Sequence, residues 1–181
     1  AFVKYGKVIT YTLTLYKHLK EKHSSLPCEV ELSVDETDIP TTPSEHLFIA
    51  GELKRLGMKW VSLAPRFIGD FEKGVDYKGN LDQFASEYKL HAGISKLMGP
   101  YKISIHSGSD KFGVYKMIGS LNAGNVHVKT AGTSYLEALR TVSMVNPGLL
   151  REILDFARDN YAVARQSYHV TGEISKVPRG S

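Results

Sequence analysis

Cysteine is almost missing from this chain of 181 residues: Cys28 is the single copy. One thiol closes no internal disulfide, so the chain must be held by its core, as expected of a cytoplasmic protein in a reducing compartment. Long apolar runs are also lacking. No uncharged stretch approaches the roughly 20 residues that cross a bilayer, so no membrane association is expected. The opening AFVKYGKVITYTLTLYKHLKEK has neither the unbroken apolar centre nor the small-residue cleavage site of an export signal. A strong charge bias is absent too, with 23 Lys+Arg against 19 Asp+Glu and a formal net charge of +4. The densest basic clusters, KHLKEKH and ELKRLG, carry Glu inside them, as solvated helix faces do. No zinc-knuckle spacing, RNP-like aromatic motif or helix-turn-helix pattern supports nucleic-acid binding, and a small anionic ligand accounts for the mild positive balance equally well.

What is present is the composition of a globular domain, with 42% hydrophobic and 23% charged residues. Strand patterns occupy Glu29–Asp35, Lys59–Arg66, Tyr101–Ser107 and Asn125–Thr130, each followed by a helical pattern. An opening helix is expected over Lys7–Lys22. The best punctuated helix starts at Thr42 as N-cap, with Pro43 in the first turn and Glu45 completing a capping box, and stops at Gly57. Leu47, Phe48, Leu53 and Leu56 are expected on its inner face. A second runs from Leu81, capped by Asn80, to Met98, and a third from Lys111 to Leu121. A further box, Ser134-x-x-Glu137, opens a helix that ends at Asn146-Pro147-Gly148, and a last helix over Leu149–Tyr168 carries a stripe of Leu150, Ile153, Leu154, Ala157 and Tyr161.

Such alternation predicts βαβ units and a parallel sheet. The two strand faces choose between its forms. Val30, Leu32 and Val34 oppose Glu29, Glu31, Ser33 and Asp35; Val61 and Leu63 oppose Trp60, Ser62, Ala64 and Arg66; Ile103 and Ile105 oppose Lys102, Ser104 and His106; Val126 and Val128 oppose His127 and Lys129. A doubly wound sheet, covered on both sides, would be aliphatic throughout. One aliphatic and one polar face fit a barrel wall whose inside lines a site. Four units make about half of a TIM-type (β/α)8 barrel.

Ligands of parallel α/β folds bind beyond the carboxyl ends of the strands. Those ends deliver Asp35-Glu36, Arg66, His106-Ser107-Gly108-Ser109-Asp110-Lys111 and Lys129-Thr130-Ala131-Gly132-Thr133-Ser134 to one rim. His106 and His127 share a face on consecutive strands, so their imidazoles could converge on a divalent ion with Asp35 or Glu36 adding a carboxylate. The plain alternative is a pair of hydrogen-bonded polar core residues. The hydroxyl-rich turns with Ser107, Ser109, Thr130 and Thr133 expose N–H groups that suit an anion, and Lys111 and Lys129 could add charge. Arg66 suits bidentate carboxylate recognition, against an internal salt bridge to Asp35 or Glu31. His18, His23 and His169 are expected in solvent. His46 and His91 fall in helices and receive no role, and Cys28, without a basic neighbour, is a poor nucleophile.

The runs ELSVDETDIPTTPSEHLFIAGELKRLG, VSLAPRFIGDFEKGVDY, YKISIHSGSDKFGVY and HVKTAGTSYLEALR resemble the D-tagaturonate epimerase family, which also includes ketose 4-epimerases. The resemblance covers about Glu29 to Arg140. It implies a metal-dependent TIM-barrel enzyme of hexuronate catabolism that interconverts D-tagaturonate and D-fructuronate. It also implies a divalent cofactor (Zn, Mn or Ni) and Asp35, Glu36, His106, His127 and Lys129 as metal and catalytic positions. In the reading adopted here, Asp35, His106 and His127 are the metal ligands and Glu36 and Lys129 the catalytic pair. Arg66, Ser107, Ser109, Lys111, Thr130 and Thr133 would bind the sugar acid. The inverted carbon is β to the ketone, so simple enolisation cannot epimerise it; retro-aldol cleavage and re-addition can.

Family members are considerably longer, so residues 1–176 are expected to be the C-terminal portion of a barrel domain. The tail Val177-Pro178-Arg179-Gly180-Ser181 reads as a protease-site remnant outside the fold. Half a barrel leaves raw edges, for which self-association into a homo-oligomer is one solution. The rival functions are another metal-dependent sugar isomerase or aldolase on the same scaffold, and a non-catalytic sugar-acid-binding fragment.

Overall fold

Strands β1 (Glu31–Val34), β2 (Ser62–Pro65), β3 (Lys102–Ile105) and β4 (Val126–Val128) pair in parallel, in the order β1-β2-β3-β4. The computed structural model describes residues 1–130, 134–167 and 170–177. Helices α1 (Phe2–Lys22), α2 (Pro43–Arg55), α3 (Leu81–Met98), α4 (Phe112–Asn122), α5 (Ser134–Val145) and α6 (Pro147–Ala164) alternate with and follow the strands. Each parallel crossover carries one helix, and neighbours in sequence are neighbours in the sheet, so the fold is α/β and singly wound. Among the described residues no helix is long and apolar enough to cross a membrane.

The local signals hold where they are strongest. Thr42 and Glu45 form the reciprocal capping box of α2, and Lys4 of α1 pairs with the same Glu45 at 3.3 Å. The Asn80 side chain caps α3 through the Gln83 N–H. Two expectations shift. Helix α1 starts at Phe2 rather than Lys7, and α2 turns His46, Ile49, Ala50 and Leu53 inward, leaving Leu47 exposed. That set keeps the i, i+3, i+4, i+7 spacing of one helical face, with a histidine where an aliphatic residue was expected.

The aliphatic strand faces pack as foreseen. Leu32, Val34, Leu63, Ile103 and Ile105 join Ile49, Leu53, Phe84, Tyr88, Val114 and Ile118 in one core between the sheet and α2–α4. The opposite face needs correction. It is not open and polar throughout, because Ser62, Ala64 and Ser104 on the two central strands are also buried. These small side chains leave room above them, and larger groups from the edge strands fill it.

His46 and His91, given no role from sequence, form a buried pair, Nδ1 to Nδ1 at 2.8 Å, with His46 Nε2 on the Tyr101 hydroxyl at 2.7 Å. His18 and His23 are exposed as expected, and His169 lies outside the described residues. So do Pro178–Ser181 of the tail, of which Val177 is described and exposed.

Candidate active site

The room above Ser62 is taken by Glu31. This β1 residue accepts from the Ser62 hydroxyl and meets His106 Nε2 through Oε1 and His127 Nδ1 through Oε2, both at 2.7 Å. In a flat sheet, β1 and β4 would stand three strand spacings apart, about 14 Å, beyond the combined reach of the two side chains. The Glu31–His127 contact therefore requires a sheet curled towards this face. Small residues on the concave side permit that approach. At the far end Gly108 does the same for the backbone: a Cβ there would stand 2.5 Å from Val128 Cγ1, and its N–H donates to the Lys129 carbonyl at 3.0 Å.

Asp35 completes the cluster, its Oδ2 standing 3.2 Å from His106 Nδ1 while Ser33 donates to its Oδ1. Both ring nitrogens of His106 thus face carboxylate oxygens, the arrangement of an imidazolium donating twice. Hydrogen bonding to Asp35 raises the His106 pKa above its ordinary value, against the opposing effect of burial and the nearby Lys129 charge. Burial pushes the Glu31 carboxyl up, but hydrogen bonds from Ser62, His106, His127 and Ser104 outweigh it and hold the group at about 2. Asp35 is likewise held below the usual carboxylate value, burial being overcome by His106 and Ser33. Glu31 was placed on the polar face from sequence but assigned only as a salt-bridge partner. The signal that would have found it is the small serine, Ser62, across from it on the next strand.

A cavity of about 350 Å³ opens beside this cluster, lined by Asp35, Glu36, Arg66, His106 and Ser107 from the strand ends and by Phe67, Gly69, Asp70, Phe71 and Glu72 of the following loop. Five sequence-selected residues therefore share one space. Arg66 makes no ion pair with Asp35 or Glu31 among the described residues; its Nη1 donates to the Thr37 carbonyl and its Nε is buried without a partner. Lys129 and Thr130 are exposed at the end of β4, away from the cavity lining, and Ser109 is buried in the turn after β3. Thr133 lies outside the described residues, as does the Ser134 side chain of the second capping box.

Lys111 does not line the cavity. It is fully buried, and its ammonium donates to the carbonyls of Val75, Glu72 and Ser109 at 2.6, 2.7 and 2.9 Å. All three N–H groups are spent on backbone, which leaves none for a ligand.

The donor types around Glu31, two imidazoles and two carboxylates, suit a catalytic divalent ion. Among the described residues no three such groups stand in the arrangement of a ready-made ion cluster. Here they hydrogen-bond to one another, through the lone pairs and N–H positions that an ion would engage.

Comparison with known proteins places the chain. The tagaturonate epimerase (UxaE) family matches residues 1–181. A tagaturonate/fructuronate epimerase of Thermotoga maritima is 49% identical over 178 residues, 98% of this chain and 37% of that protein. The native crystal structure of fructuronate-tagaturonate epimerase UxaE from Cohnella laeviribosi superposes with a TM-score of 0.88 at 41% identity, covering 97% of this chain and 35% of that one. Its complex with two glycerols gives 0.87 at 40%, with the same coverage. The chain thus spans about a third of the length of these relatives, and with a match along its whole length and this degree of identity it belongs to the tagaturonate epimerase family.

Proposed function

We propose that this chain supplies strand-end residues to an epimerase that interconverts D-tagaturonate and D-fructuronate, its curled sheet forming about half of a (β/α)8 barrel. The observation that carries the reading is the convergence of Glu31, His106 and His127 from three strands beside a cavity that Arg66 and Glu36 enter. Sequential parallel strands and a curl strong enough to join β1 to β4 are the geometry of a barrel wall.

Asp35, His106 and His127, with Glu31 added, are the residues that would hold a divalent ion. When bound, such an ion supplies Lewis-acid polarisation of the substrate ketone. The remaining work falls to the chain itself. Arg66 holds the substrate carboxylate by charge-assisted hydrogen bonds. Glu36, at the cavity wall beside Asp35, takes the proton of the hydroxyl on the carbon to be inverted. The bond between that carbon and its neighbour next to the ketone breaks, its electron pair passing to the ketone side. The resulting aldehyde rotates, the bond re-forms on its other face, and Glu36 returns the proton. Lys129, outside the cavity lining but close enough for its charge to act on His106, supports the negative charge that develops on the enediolate oxygens.

Two variants of a full-length enzyme test this. Glu31→Ala should lower metal content, measured by elemental analysis, and turnover of D-tagaturonate by at least about 100-fold, since it removes the group to which both imidazoles are hydrogen-bonded. Full metal content and full turnover would overturn the assignment. Arg66→Ala should cost roughly 10–100-fold in kcat/KM on D-tagaturonate, the worth of one lost charge-assisted bond. The loss on D-tagatose, which has no carboxylate, should be much smaller. Equal losses on both would make Arg66 structural and move the carboxylate site elsewhere.

A further inference from the structure

The stretch between β2 and α3, residues 66–80, forms one wall of the cavity, yet it has almost no regular structure of its own. Its internal ties include one antiparallel bridge, in which the Asp70 N–H donates to the Lys78 carbonyl at 2.8 Å and the Lys78 N–H returns at 3.2 Å. The Tyr77 hydroxyl also donates to the Ile68 carbonyl at 3.0 Å, and Lys78 forms an ion pair with Glu72 at 3.0 Å. Gly69 takes a φ of +80° beside the bridge, where a Cβ would stand 2.7 Å from the Lys78 carbonyl. A loop this long without a regular element also depends on what reaches it from outside: Phe67, Phe71 and Tyr77 pack on Phe84 of α3, and polar clamps fix its far end.

Two reciprocal clamps run from this loop to the start of α4. The buried Lys111 ammonium draws in the Glu72 and Val75 carbonyls of the loop together with the Ser109 carbonyl of its own turn. In return, the Asp76 carboxylate of the loop accepts from the Gly113 N–H in the first turn of α4 at 3.1 and 3.2 Å. Three carbonyls converging on one point match the three N–H groups of an ammonium; a planar guanidinium would not serve them equally. The same turn carries Ser107 and Asp110 at φ +48° and +60°, so Lys111 also fastens the strained connection that follows His106.

We propose that Lys111 is a positioning residue that, with Asp76, holds the 66–80 loop as the cavity wall and so governs affinity for the sugar acid rather than the rate of its conversion. The kinetic half of this inference rests on the epimerase reading. Glu31 and His127 sit on strands whose pairing does not involve the loop, and His106 directly follows β3. Releasing the loop therefore leaves them in place but lowers the fraction of molecules with a formed wall, and apparent affinity falls by that fraction.

The test uses Lys111→Met in the full-length enzyme, with steady-state kinetics on D-tagaturonate and hydrogen exchange of the Asp70 and Lys78 amides. KM should rise about tenfold with kcat within about threefold. The two amides should exchange about tenfold faster, while strand amides are unchanged. A fall in kcat at constant KM, or unchanged exchange at Asp70 and Lys78, overturns the proposal. Should Lys111→Met fail to fold, Asp76→Ala tests the same clamp from the surface. A rise in KM of about two- to fivefold with faster loop exchange is then expected, and unaltered exchange overturns it. If the wild-type enzyme does not act on D-tagaturonate, the epimerase reading fails while the exchange measurement still decides the clamp.

Discussion

Helix α6 is more strongly amphipathic than helix α2, yet α2 buries His46, Ile49, Ala50 and Leu53 while α6 buries no residue. The difference lies in what each has to pack on. Helices α1 to α4 stand side by side over the aliphatic strand faces. Helix α6 packs on α5 and on the short turn Arg165–Ser167 that follows it, and its Leu154 and Phe156 remain exposed. Amphipathic periodicity commits a helix to present an apolar stripe. It does not by itself provide the surface that covers it.

Two substitutions should separate these regions most strongly. Leu63 is fully buried under α2 and α3, and Leu63→Ala should cost about 2–5 kcal/mol of unfolding free energy in urea titration, the loss of buried methyl groups plus the cavity they leave. Ile153→Ala, on the half-exposed stripe of α6, should cost less than about 1 kcal/mol in this chain. Repeating Ile153→Ala in a chain of the relatives' full length sharpens the contrast. A cost that rises towards the Leu63 value there would mean that the rest of the longer protein covers the stripe; a cost equally small would mean that it stays in solvent.

A smaller effect separates the two histidine environments. His46 and His91 are held down to about 3 and about 4 by burial, with mutual repulsion adding to it for His46. Both folded-state values lie below the unfolded value near 6.5, so the unfolded chain takes up protons that the folded chain refuses. Their contribution is complete above about pH 6.5 and is lost as pH falls, by up to about 2 kcal/mol per histidine between pH 7 and pH 5. His106 runs the other way: its raised pKa gives stability that is full below about 6.5 and lost as pH rises through the folded value. Urea midpoints measured from pH 7 down to pH 5 should therefore fall in the wild type. They should fall much less in a His46→Leu/His91→Met double variant. An identical decline in both would mean that other groups carry the acid sensitivity.

Element order was legible because it rests on local chemistry. The Thr42–Glu45 box, the Asn80 cap and the period-two strand patterns each act within a few residues. The residues chosen at the carboxyl ends of the strands do reach one cavity in the case of Asp35, Glu36, Arg66, His106 and Ser107. Lys111 was misread because a lysine at a strand-to-helix turn looks solvent-facing until the loop that covers it is known. The His46–His91 pair was passed over because two helices separated by a strand give no hint that their histidines touch.

By itself, then, the sequence determined which residues are helical, which alternate along strands, and which strand faces carry the carboxylates and imidazoles. Helical and strand periods are properties of consecutive residues, so these features need no knowledge of the rest of the chain. Tertiary structure alone decided that Glu31 of β1 reaches His127 of β4, and that the Lys111 ammonium closes on three carbonyls instead of a ligand. Both depend on distances between segments far apart in sequence. Sheet curl and loop packing set those distances, and they follow from how the whole core fills its volume.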